Sequence, residues 1–355
     1  MPKNSCGWKA GLTKTFRNRS GKTINDKGTN LQNPSPGMCR IHTPKRGCSF
    51  IQPDLAGAEA KVVAMLTPPG GKFRQLFDVG IKPHVFVALH LFQPQWQKET
   101  PYDARHLCSL PISELSVHPE WKYLGKIIKN HTERYFIGKK TCHSFNYRKM
   151  PGTFRFDVLK ESEGKIVLTL KDSEHFREVY VSLFPEIFEY WHEEVIAHLQ
   201  GTRYIYNCLG YPHYFGGHVY DQETIRKAIA TGPQSTVGCV ANIAACDFQD
   251  WVEDHDKKWD LLNNKHDSLL AQAEDGEETL SCARKMCEFM GRVELRSPFG
   301  ETFYMKTEVS VGKNWAKKDE DCYNCQEDKN TCKCGNYIPK NPEGMDEIDL
   351  TKIAA

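Results

Sequence analysis

The sequence predicts an α+β fold, with antiparallel strands set beside a segregated block of helices. Three observations predict it. Short apolar runs suited to buried strands lie toward the two ends of the chain, at Ser49-Phe50-Ile51, around Leu261–Leu270 and at Val309-Ser-Val311, while the long middle is written mostly in helical periods. Strands and helices therefore come in blocks rather than in alternation, and no internal repeat is evident. At 355 residues the chain is long enough for two or three subdomains with a substantial core.

Residues 1–66 form the first strand-bearing part. Ser49-Phe50-Ile51 runs into Asp54-Leu-Ala-Gly-Ala-Glu59 and on into Ala60–Leu66, a buried strand turning into a helix. An aspartate at a strand end is placed to hold a hard cation. Glu59, about one and a half helical turns further on, can police what sits beside that cation. Alone, the same letters equally describe an N-cap Asp with a Glu in the first helical turn. Thr67-Pro-Pro-Gly-Gly71 ends this part.

From 67 to 224 the reading is helical, with helices at 72–78, 83–92, 132–147 and 174–200 separated by loops at Gln93-Pro94, Thr100-Pro101 and Leu110-Pro111. Lys165–Leu170 suits a short strand, and Phe184-Pro185 starts an amphipathic helix. The key helix spans about 132–148. Asn130-His-Thr-Glu133 can cap it, and Lys139, His143 and Tyr147 recur every four residues, so one face carries an amine, an imidazole and a phenol. A surface helix of mixed polarity would read the same way. Residues 225–316 return to strands: a helix across Gln234–Val252, a hairpin with His266-Asp267 near its turn, a helix near 279–291, and a last strand. An Asp in an ordinary turn is the plain alternative at Asp267.

Together, these segments resemble the three motifs of a family A DNA polymerase, the DNA polymerase I-like and phage-type enzymes. The pairs are Asp54/Glu59, Lys139/Tyr147 and His266/Asp267, in the family's order. Gly28-Thr-Asn30-Leu31-Gln32-Asn33 resembles the signature ahead of the first motif, and Arg17-Asn-Arg19-Ser20 the Arg-containing stretch before it. Lys82-Pro-His84, Arg226 with Gln234, and Val309-Ser-Val-Gly312-Lys-Asn314-Trp315 resemble further family segments, so the likeness covers about 17–316. There are departures. His143 replaces a bulky aromatic, Arg148 replaces the glycine after the tyrosine, and Ser268 stands where many members place a second acid. Arg134 is five residues before Lys139 rather than four, which rotates it about 100° around the helix.

The resemblance implies a right-hand polymerase fold made of palm and fingers: palm in 1–66 and 225–316, fingers in 67–224. Thumb and exonuclease domain are expected to be absent, or supplied by a separate polypeptide. It implies two Mg²⁺ ions held by Asp54, Asp267 and the Leu55 carbonyl, with Lys139 as a further catalytic residue. Deoxynucleoside triphosphate is expected against Leu55, Glu59, His84, Arg134, Lys139, His143 and Tyr147. Primer–template DNA is expected against Arg17, Asn30, Gln32, Arg226, Gln234 and His266. A single-subunit RNA polymerase shares the aspartates and the Lys/Tyr helix, but Glu59 argues against it, because that enzyme must admit a 2′-hydroxyl. A second reading is a weak or idle nucleic-acid-binding subunit of a split polymerase.

The net charge of +2 gives no global attraction for nucleic acid, so contacts must come from local basic patches. The first residues lack the apolar core of a signal peptide, and no run approaches a membrane span. Fourteen scattered cysteines fit a reducing cytoplasm, and the resemblance implies that of a bacterium or a phage-infected host. Residues 317–355 read as a charged tail outside the resemblance. Its Cys322, Cys325, Cys332 and Cys334 can hold a tetrahedral Zn²⁺, although the Cys-x-Cys half is tighter than usual ribbon spacing.

Overall fold

A computed structural model describes residues 8–12, 18–20, 36–322 and 337–351. The chain divides into two compact units, one of 1–58, 234–295 and 302–355, the other of 59–233 and 296–301. Helices and one principal antiparallel sheet are segregated, so the α+β class holds.

The first unit is organised on five antiparallel strands: β1 (Cys48–Leu55), β2 (Asp260–Lys265), β3 (Ser268–Glu274), β4 (Thr307–Gly312) and β5 (Asp346–Ile348). Their order is β5-β4-β1-β3-β2, which puts β1 at the centre. The helix Glu277–Gly291 packs against β1, β3 and β4, and its buried Cys282, Ala283, Met286, Phe289 and Met290 recur at helical spacing. A smaller cluster joins Phe50 and Leu270 of the sheet to Cys39, Trp315 and Met345. Each large apolar side chain so buried contributes about 1.5–3 kcal/mol.

The segment after 317, read from the sequence as a charged appendage, joins this unit. Asp346–Ile348 pairs with β4, and Asp319–Cys322 pairs with Pro339–Asn341. Asn314 and Asn341, both buried, exchange side-chain hydrogen bonds at 2.8 and 3.1 Å. Charge hid this structure from the sequence, because a buried amide pair and a three-residue edge strand need no apolar run.

The second unit is helical apart from a short hairpin of Tyr204–Tyr206 with Pro212–Tyr214. The helices Pro83–Leu91 and Thr132–Asn146 approach closely at Gly138, where a Cβ would lie 2.5 Å from the His84 carbonyl oxygen. At the end of the second helix, buried Asn146 accepts from Tyr180 Oη (2.6 Å), and its carbonyl accepts from His192 Nε2 (2.8 Å). Burial lowers the His192 pKa to about 4, so a neutral ring makes that bond.

Several expected elements are corrected. Lys165–Thr169 is irregular rather than a strand, because Thr169 and Asp172 form a capping box that starts the helix Leu170–Leu183. The expected helix 174–200 is interrupted at Phe184-Pro185 and resumes through a π-helical turn at Ile187–His192. Gln93–Glu99 is a helix, with Pro94 in its first turn, where a missing N–H costs nothing. Asn130 ends the preceding helix, and the N-cap before Lys139 is His131, whose ring accepts from Arg134 N.

Candidate active site

In the first unit, β1 delivers Asp54 at its end, and the two-residue connection between β2 and β3 delivers Asp267. Two backbone bonds clamp this junction: Leu55 N–H donates to the Asp267 carbonyl at 3.0 Å, and Ala56 N–H to the Lys306 carbonyl at 2.9 Å. His266 adopts φ +57°, the left-handed geometry that lets so short a connection close. The two aspartates found far apart in the sequence are thus tied together by main chain.

Strand register adds a third acid that the sequence reading missed. Glu308 lies directly opposite Asp54 on β4, and directly opposed residues share a face of the sheet. The available signal was the polar alternation of Glu308 and Ser310 through the last strand. Burial pushes the Asp54 carboxyl up to about 7, and the charges of Asp267 and Glu308 push the same way, against the lysines 317 and 265. Ser268, where the resemblance led one to look for an acid, is instead buried. It accepts from Gln52 Nε2 (3.1 Å), and Gln52 Oε1 accepts from Trp315 Nε1 (2.8 Å). Asp54 and Glu308 open on a cleft of about 1300 Å³ that Lys265 and Lys317 also line.

This donor set suits a divalent cation. Mutually repelling carboxylates are relieved by one, and all the donors are hard oxygens. Among the described residues no three His, Cys, Asp or Glu side chains close into a metal cage.

In the second unit, Tyr147 Oη donates to Glu59 Oε2 at 2.5 Å. His143 Nε2 lies 3.9 Å from the same oxygen, and its ring meets Tyr147 edge-on at 5.5 Å. Three residues singled out in the sequence therefore form one cluster. Lys139 is exposed and in no ion pair among the described residues, whereas its neighbour Lys140 is paired with Glu161. His84 Nε2 shares a hydrogen bond with Tyr135 Oη (2.9 Å), and burial, with nearby Lys82, Lys139 and Lys129, lowers its pKa to about 4. Its ring is therefore neutral near pH 7.

Arg134 is committed elsewhere. Its guanidinium forks onto both Glu99 oxygens at 2.7 and 2.8 Å and lies 4.4 Å from the Trp96 ring. In this structure, then, Arg134 is paired with Glu99. Arg226 and Gln234 share the helix Gln222–Asp254, but the division between units falls between them, at internal Pro233. Arg17, Asn30, Gln32, Cys325, Cys332 and Cys334 lie outside the described residues, as does the Cys322 side chain.

No protein-family model and no curated protein matches the chain. Among solved structures it is similar to the POL domain of Pol1 from M. smegmatis in complex with DNA primer-template and dNTP, with TM-score 0.60 and 18% identity. The match covers 88% of this chain and 48% of that one, so the chain spans about half of its length. At that identity the likeness establishes a shared polymerase-domain fold.

Proposed function

We propose that this chain is a template-directed DNA polymerase that adds deoxynucleotides to a primer 3′-hydroxyl by two-metal-ion catalysis, in DNA replication. The carrying observation is the clamped junction of Asp54 and Asp267, on a fold shared with a domain solved with primer-template and dNTP. Asp54, Asp267 and the Leu55 carbonyl, with Glu308 beside them, would hold two Mg²⁺ ions, which when bound supply Lewis-acid charge neutralisation at the reacting phosphate.

The remaining roles fall to the protein's own groups. Lys139 offers an unpaired ammonium to the triphosphate and a proton to departing pyrophosphate. The Tyr147–Glu59 bond fixes a phenol ring and a carboxylate as a rigid pair, suited to closing off the space a 2′-hydroxyl would need. His143 stands beside that pair as a flat surface for the incoming base. His84, held by Tyr135, leaves Nδ1 to meet an outer phosphate as a neutral donor. Arg226, Gln234 and His266, with Arg17, Asn30 and Gln32, are assigned to primer–template.

No described helix is long and apolar enough to cross a membrane, and a bacterial or phage-infected cytoplasm is the proposed setting. Zn²⁺ on Cys322, Cys325, Cys332 and Cys334 belongs to the same proposal. Elemental analysis of protein purified without chelator should find one zinc, lost on deleting 323–336. The decisive experiment for the activity is extension of a labelled primer with Mg²⁺ by the purified chain. Extension that stops on chelation supports the reading. Binding without extension at any Mg²⁺ or Mn²⁺ concentration points to the idle subunit, and neither binding nor extension refutes both.

A further inference from the structure

The cleft that holds Asp54 and Glu308 has a wall that the family resemblance does not supply, built by the chain beyond Trp315. Its construction centres on Lys317. The Lys317 carbonyl accepts from Asn341 Nδ2 at 2.9 Å, and Asn341 is itself locked to Asn314 in the buried amide pair. On either side, Met345 N–H donates to the Ala316 carbonyl (2.7 Å) and Lys318 N–H to the Met345 carbonyl (3.0 Å). Gly344 lets the strands touch, since a Cβ there would lie 2.6 Å from the Lys317 carbonyl carbon.

The cations of this wall differ in what they do. Lys318 is paired with Glu320 and Asp346, at 2.9 and 3.0 Å, and Lys340 lies 3.9 Å from both Asp319 and Asp321. Lys317 and Lys265 make no ion pair among the described residues. Lys265 instead rests 5.3 Å from the Trp315 ring centre, which orients its ammonium without neutralising it. Both residues line the cleft alongside Asp54 and Glu308. A cleft with carboxylates for metal and unneutralised lysines beside them suits a phosphodiester strand whose end meets the carboxylates.

We propose that Lys317 and Lys265 form a phosphate-binding subsite that grips the primer strand at the linkages next to its reacting 3′ end. This rests on the polymerase reading and assigns a task to the C-terminal segment.

The test is binding of a fluorescent primer–template to the full chain, without nucleotide, across a potassium chloride series. Lys317→Ala and Lys265→Ala should each weaken binding by roughly five- to tenfold, uniformly across sequences, and flatten the salt slope by about one. Lys317→Arg should keep the wild-type slope, and so should Lys318→Ala. Neutral methylphosphonate linkages placed singly along the primer should abolish the Lys317→Ala effect only within the last few nucleotides. Wild-type binding with unchanged slopes in both alanine variants overturns the subsite and leaves the polymerase reading standing. A Lys317→Ala effect erased by a template linkage, or by none, overturns the assignment to the primer. A wild-type chain that extends no primer and binds none removes the parent reading and the subsite with it.

Discussion

The sheet end around Asp54 and the helix end around Tyr147 solve opposite problems. At the sheet end, main-chain bonds hold like charges together, and the Asp54 carboxyl is pushed up to about 7 by burial and by its acidic neighbours. At the helix end, polar groups are partnered: Tyr147 with Glu59, Asn146 with Tyr180 and His192, Arg134 with Glu99. One region holds like charges together by its backbone, whereas the other fixes these side chains by pairing them.

The strongest way to break this contrast is to neutralise the sheet end. Asp54→Asn or Asp267→Asn should cut nucleotide incorporation by at least about 10³-fold, roughly 4 kcal/mol of transition-state stabilisation. The folded chain should survive in circular dichroism. In metal-free buffer Asp54→Asn should melt no lower than wild type, since it removes an ionisation the fold opposes. The pH dependence follows from the same residue. A carboxyl whose folded pKa lies near 7, above its unfolded value of 3.8, opposes folding when ionised. Metal-free wild type should therefore gain stability relative to Asp54→Asn as pH falls from 8 toward 5, and added Mg²⁺ should reduce the gain. Melting curves at matched pH with and without metal check this, and a gain on raising pH would contradict it.

Gly138→Ala comes next, because a methyl group 2.5 Å from the His84 carbonyl must separate two packed helices. The expected loss is about 1–3 kcal/mol of stability, read by urea denaturation. An unchanged midpoint would show that this region yields more than its packing suggests.

A gentler probe is Glu59→Ala, which leaves the helices in place and removes the partner of Tyr147. Ribonucleotide use relative to deoxyribonucleotide should rise roughly tenfold or more, about 1.4 kcal/mol in discrimination. Single-nucleotide extension measures it, and unchanged selectivity would confine Glu59 to a structural part.

The smallest effect sharpens the helix end. Arg148 carries φ +55° at the end of its helix. Arg148→Gly should stabilise the chain by about 1 kcal/mol, visible as a higher melting temperature.

What could be read in advance was local. The Asp54 to Glu59 spacing, the every-four recurrence of Lys139, His143 and Tyr147, and an Asp beside a turn each lie within one short stretch of sequence. Glu308 could not be placed, because its nearness to Asp54 comes from a strand register between distant segments. The pairing of Arg134 with Glu99 could not be foreseen either, because Glu99 lies in a segment whose Pro94 read as a loop signal although proline also starts helices. Lys165–Leu170 misled in the other direction, since a short apolar run carries no period of its own and the capping box at its end decided the matter.

Asp346–Ile348 carries a colloidal consequence. It is an edge strand of only three residues, two of them acidic, covering one side of β4. A chain shortened to end before Asp346 would bare the backbone donors and acceptors of Val309 and Val311, a template on which another copy could add a strand. The acidic edge replaces that sticky border with one that repels its own kind. Shortened forms should accordingly be handled as prone to self-association, even where every residue around Asp54 is retained.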